Sequence, residues 1–170
     1  MLLALKTITF VYDRREDRIL AAVNAGSPES WSCWLTRRMA LALLAKADEF
    51  VSKTSKLLPN ATAGTREQLL SFEREAALAE TAGSLTRTPQ KLLAGKSRAA
   101  ELLGEVRLNQ RGATYQIDLQ GDAGGGAVAT IKRAELQRIM QMLDDVTIKA
   151  GWGEAKEPAA PDPSLPIVRH

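Results

Sequence analysis

Two tryptophans, one cysteine and three basic pairs carry what chemistry this sequence offers. Cys33 is the only cysteine and His170 the only histidine among 170 residues. A single thiol makes no internal disulfide, redox pair or thiolate zinc cluster. A single imidazole at position 170 leaves no catalytic triad, histidine acid–base pair or histidine metal cluster inside the fold. Asp144 and Asp145 are adjacent on a predicted helix and face different directions, which suits solvation better than metal binding. The run Gly121 to Gly126 lacks the Lys-Ser or Lys-Thr and the following helix that a phosphate loop requires, so it reads as a mobile hairpin tip. The chain is therefore expected to be no enzyme, with no cofactor and no metal.

The basic pairs are the more informative feature. Arg37-Arg38 and Lys132-Arg133 each stand where a short strand turns into a helix. A cation there works against the helix dipole by a few tenths to about 1 kcal/mol. One reading is an anion site, where guanidinium groups and free backbone N–H groups converge. The other is a solvated surface on which they pair with Asp13, Glu16, Asp17 or Glu135. Trp31 and Trp34 lie three apart in a strand and point to opposite faces. Either one belongs to the core and the other is a partner-binding anchor or a stacking platform, or both are covered by helices on either side of the sheet. An exposed tryptophan with Arg14, Arg15, Arg18, Arg37 and Arg38 would make a nucleic-acid surface. Glu16, Asp17 and Glu29 dilute it, and the net charge is only +3. The contact residues expected from the sequence are Trp34, Arg37, Arg38, Lys132, Arg133, Arg14 and Arg15.

Elements to position them follow from hydrophobic period. Thr7 to Asp13 and Arg18 to Asn24 alternate as strands around the charged turn Arg14–Asp17, and Trp31 to Leu35 is a third. Thr36 is an N-cap for a helix carrying Leu41, Leu44, Ala47, Phe50 and Val51. Thr65 and Gln68 fit a capping box for a second helix to about Thr81, with Leu69, Phe72, Ala76 and Ala79 as its apolar positions. Thr88-Pro89 opens a third over Gln90 to Leu103, with Gly104 as its cap. Glu105 to Gln110 and Ala113 to Gln120 form a hairpin, Ala127 to Ile131 a short strand, and Lys132 to Ala150 the last helix. That helix is expected to turn Leu136, Ile139, Met140, Leu143, Val146 and Ile148 inward. The two halves share an order of strand, strand, short strand, basic pair and helix. The fold class is accordingly α+β, with two ββ-β-α units forming an antiparallel sheet or sandwich and a helical pair inserted over about 59–104.

Length and composition allow one domain over residues 1–152, large enough to bury about two thirds of its unfolded surface. Residues 153–170 hold four prolines and little to pack, and read as a disordered tail, a tether or a short peptide ligand. No apolar run reaches membrane-spanning length and no signal-peptide core is present, so a cytoplasmic location is expected.

Tyr12-Asp13-Arg14-Arg15-Glu16-Asp17-Arg18-Ile19-Leu20, followed by Trp34-Leu35-Thr36-Arg37-Arg38, resembles the opening of small uncharacterised bacterial proteins. The topology is also similar to the head domains of DNA end-joining scaffold and centriolar cartwheel proteins, which have a β unit, an inserted helical pair, a second β unit and a final helix. The resemblance implies a scaffold role. In that family the final helix extends into a dimeric coiled coil, whereas here it stops at Gly151-Trp152-Gly153. The function expected from the sequence is a protein–protein interaction module, its partner an unidentified protein or a second copy of the chain. The alternative is nucleic-acid binding through the basic pairs.

Overall fold

A computed structural model describes residues 2–82, 90–93 and 95–153. The expected Thr88-Pro89 helix start and the tail after Gly153 lie outside them. The strands are β1 (Leu2–Ala4), β2 (Ile8–Asp13), β3 (Arg18–Val23), β4 (Trp31–Leu35), β5 (Glu101–Arg111), β6 (Thr114–Gly121) and β7 (Gly126–Lys132). The helices are α1 (Arg37–Thr54), α2 (Ala63–Thr81), α3 (Gln90–Leu93) and α4 (Arg133–Lys149), with 3-10 turns at Leu58–Asn60 and Lys96–Ala99. All seven strands join one sheet in the order β1-β7-β6-β5-β4-β3-β2.

The fold is α+β as expected, but the sheet is mixed rather than antiparallel. β4 pairs parallel with β5, and β1 pairs parallel with β7. The crossover from β4 through α1 and α2 reverses the chain once more than a hairpin would, so β5 sets out in the direction of β4. β1 escaped the sequence reading because three residues are too few for alternation to show.

β1 and β2 occupy opposite ends of the strand order, yet only Leu5, Lys6 and Thr7 separate them. Seven strands laid flat would set their edges about 29 Å apart. The link from Ala4 to Ile8 spans at most about 14 Å. The sheet therefore has to curl until its edges meet. Asn24, at φ +50°, fastens the seam. Its Oδ1 accepts from Lys6 N (2.9 Å) and Thr7 N (3.1 Å), and its Nδ2 donates to Ala4 O (2.8 Å).

α1 and α4 fill the concave side. α1 leaves β4 and ends beside Tyr115 of β6, where Phe50 meets the Tyr115 ring edge-on at 5.7 Å. α4 leaves β7 and ends beside β2, where Trp152 meets Tyr12 edge-on at 5.4 Å. Between them Ile19, Leu35, Ile117, Leu136 and Leu143 are sealed from solvent. Phe10 and Tyr12 pack partly against this core on the face that carries Ile8, as the alternation predicts.

Several side chains depart from expectation. The buried stripe of α1 is Ala40, Leu43, Ala47 and Val51, rotated slightly from the predicted one. In α2 the buried residues are Ala77 and Thr81, while Phe72 is 65% exposed. Ile148, expected inside, is 59% exposed because α4 turns it away from the sheet. The helix begins one turn early at α2, with Thr62 rather than Thr65 before it. The expected helix over Gln90 to Leu103 is cut to one turn, and Gly104 sits at a register shift within β5 rather than at a helix end.

Candidate functional site

Strand direction decides where the basic residues gather. β2, β4, β5 and β7 run the same way and β3 and β6 oppose them. The β2–β3 turn, the start of α1, the β5–β6 hairpin and the start of α4 thus share one end of the sheet. Arg14, Arg15, Arg37, Arg38, Arg111 and Lys132 are exposed there. Among the described residues none of them forms an ion pair. The neighbouring acids are engaged elsewhere: Asp13 accepts from Arg15 N (2.8 Å), Asp17 from the Tyr12 hydroxyl (2.7 Å) and Glu135 from Lys132 N (2.7 Å). The Asp17 hydrogen bond holds the Tyr12 phenol above its ordinary pKa.

Arg133 is a different case. It lies at the first position of α4, and its Nη1 donates to Thr54 Oγ1 (2.9 Å) and the Tyr115 hydroxyl (3.2 Å). Its Nη2 donates to Val51 O (2.8 Å) and Glu73 Oε2 (3.0 Å). The guanidinium therefore closes the C-terminal end of α1, where a cation is favoured, and ties α2 to it. Its partner is Glu73, not Glu135.

Trp34 does not project from the sheet. It is 8% exposed, on the face opposite Cys33, where the Lys96–Ala99 turn packs against β4. Trp31 is half-buried and donates from Nε1 to Glu101 Oε1 at 2.5 Å. The Trp34 ring is not free to stack on a ligand in this conformation. The glycine run is the tip of the β6–β7 hairpin, as expected, and it cradles the Glu101 carboxylate. Ala123 N donates to its second oxygen at 2.5 Å, and a Cβ on Gly125 would stand 2.1 Å from Oε1. Cys33 is buried, and burial, then the nearby Glu101 charge, pushes its thiol up to about 12.

A second surface was not legible from sequence patterning. β5 has eleven residues and β4 five, and they pair at two positions only, Cys33 with Glu101 and Trp34 with Leu102. Beyond Leu103, β5 bonds β6 on one side, and among the described residues no strand pairs with its other edge. A two-residue turn at Gly112 (φ +60°) and Ala113 makes Arg111 and Thr114 a bonded pair. Alternation then directs the amides of Glu105, Arg107 and Asn109 to β6, and those of Val106, Leu108 and Gln110 outward. A groove of about 660 Å³ runs between this edge and α1. Consecutive residues from Gly104 to Asn109 line it, which marks it as an edge, since either face would show alternate ones. Met39, Leu43, Phe50, Val106 and Leu108 give it an apolar floor. Lys46 stands on its rim with the ion pairs Glu49–Lys53 and Glu105–Arg107. Lys53 holds the Glu49 carboxyl, and Arg107 the Glu105 carboxyl, below the usual range.

Among the described residues no three acidic, histidine or cysteine side chains come together to hold a metal, and no helix is long and apolar enough to cross a membrane. Compared with protein-family models, curated proteins and solved structures, the chain matches none.

Proposed function

We propose that this chain is a non-enzymatic protein-interaction module that takes an extended segment of its partner as an added strand on β5. The observation that carries this reading is the edge of β5 from Gly104 to Gln110, unpaired among the described residues and lying beside an apolar groove. An incoming strand would supply the missing ladder for Val106, Leu108 and Gln110, while alternate side chains enter the groove under α1. The element order, with helices inserted between a four-stranded and a three-stranded run and one helix last, is also close to the order that a scaffold-type head domain would have.

Selection from a displayed library of random decapeptides, against the chain shortened after Gly153 so that the Trp152 anchor stays, tests this reading. Enriched peptides should alternate apolar and polar residues, and Leu108→Lys should abolish their binding while Arg14→Ala leaves it intact. Peptides that bind the Leu108→Lys protein equally well would sink the proposal.

A second reading is supported by the exposed basic end. Six cations without ion pairs among the described residues would attract a polyanion. The burial of Trp34 weighs against it, because the stacking platform is missing. Binding to single-stranded DNA or RNA that falls with salt and disappears in Arg37→Ala/Arg38→Ala would favour this reading over strand addition.

A further inference from the structure

We infer that the β5 groove has an occupant within the chain itself: the segment Leu165-Pro166-Ile167-Val168-Arg169. This rests on the strand-addition reading and names what fills the edge before a partner does. Three observations support it.

The first is reach. Tyr12, Ile19 and Leu35 stand opposite one another on β2, β3 and β4, so Tyr12 is two strand spacings, about 10 Å, from Leu35. Trp152 packs on Tyr12 with ring centroids 5.4 Å apart. Leu35 ends the strand whose disappearance opens the β5 edge. The chain after Gly153 therefore starts on the order of 15–20 Å from the β5 edge, three strand spacings plus the ring contact. The eleven residues 154–164 extend to about 36–40 Å, enough to enter the groove and follow it.

The second is backbone chemistry. Pro166 lacks an N–H, so in an added strand it has to take a position whose amide points away from β5. Alternation then turns the amides of Leu165, Ile167 and Arg169 toward the open edge. Both alternating sets offer apolar side chains, Leu165 and Ile167 on one face and Pro166 and Val168 on the other. Whichever face meets the floor of Leu43, Phe50 and Val106 is apolar.

The third is charge. Between Gly153 and Leu165 stand Glu154, Glu157 and Asp162 against Lys156, a net charge of −2. The helix at the mouth carries Arg37, Arg38 and Lys46, all exposed, and has no acidic residue in its first turn. The acidic approach thus meets the basic end of α1. A tethered segment works at an effective concentration on the order of 1 mM, so an intrinsic Kd on the order of 100 μM leaves the groove about tenfold more often filled than empty. A partner strand has to displace it.

Hydrogen exchange of the Val106, Leu108 and Gln110 amides, measured in the full chain and in the full chain with Ile167→Asp/Val168→Asp, tests the inference. Exchange should be about tenfold slower in the native chain. A synthetic peptide of residues 161–170 should bind the variant with a Kd on the order of 100 μM and restore the protection. Equal exchange in the two proteins, with no binding of the peptide, would overturn the tail as occupant. Protection in the native chain accompanied by light scattering at twice the monomer mass, with a monomeric variant, would overturn it in favour of the tail of a second copy. Selection of peptides by the shortened chain separates the two levels: if it succeeds while the tail fails, strand addition stands without this occupant, and if it fails, both fall.

Discussion

Arg37 and Arg133 occupy equivalent places, each the first residue of a helix that follows a strand, and their surroundings give them opposite energetics. Arg133 trades its unfavourable position on α4 for four hydrogen bonds to α1, β6 and α2, with less than a quarter of its side chain exposed. Removing it leaves Val51 O and Glu73 without their cation, so Arg133→Ala should cost about 2–3 kcal/mol in urea unfolding. Arg37 has no such partner, and Arg37→Ala should raise stability by a few tenths of a kcal/mol as the α1 dipole is relieved. If the two substitutions prove equal, Arg133 is not the tie it looks to be. Cys33 offers a second test at this scale. Its thiol is held protonated by burial, so a disulfide reagent at pH 8 should leave the native protein unmodified and label it fully once unfolded. Because the folded value is raised, from an ordinary 9.0 to about 12, the contribution of Cys33 to stability is intact below pH 9 and is lost as pH rises toward 12. Cys33→Ala should remove that part of the alkaline slope, and at neutral pH it should cost only the packing of the buried sulfur, about 1 kcal/mol.

Elements were legible where one buried face imposed a period. β4 was placed at its observed bounds because Trp31, Cys33 and Leu35 alternate with Ser32 and Trp34, and the starts of α1 and α4 were placed within a residue. What alternation cannot carry is the identity of the next strand in the sheet. The open edge of β5 depends on β4 ending five residues after it begins, a mismatch of length visible only once the two are known to be neighbours. The exposure of Trp34 failed for a like reason, since its cover comes from Lys96–Ala99, more than sixty positions away. The glycine run was legible as a hairpin tip but its contacts were not, because composition reports freedom whereas here small size also serves close approach. Glu101 and Trp31 crowd Gly125 from two sides, with Trp31 Nε1 2.4 Å from where a Cβ would stand. Gly125→Ala should therefore cost about 2–4 kcal/mol. Gly64→Ala, in α2 with open space around it, should instead stabilise by about 0.5–1 kcal/mol. Thermal unfolding of the pair separates glycine as spacer from glycine as flexible link.

At the scale of the whole molecule, the seam between the two sheet edges is held by little: three residues of β1, a three-residue link and the side chain of Asn24. Asn24 contributes three hydrogen bonds to the backbone of the link and stays in a left-handed conformation that asparagine tolerates better than most residues. Asn24→Ala loses all three bonds and adds strain at φ +50°, which sums to about 3–4 kcal/mol. Asn24→Asp keeps the acceptor for Lys6 and Thr7 and loses only the donor to Ala4, so its cost should be about half as large. The physical consequence goes beyond stability. With the seam open, β1 leaves β7, and both edges of the sheet join β5 as sites for strand addition. Asn24→Ala should therefore self-associate more strongly than the native chain, with faster hydrogen exchange at the Gly126 and Val128 amides, which face β1, ahead of global unfolding. Exchange that accelerates uniformly across all seven strands would show instead that the curled sheet melts as one unit, and that the seam is no weaker than the rest.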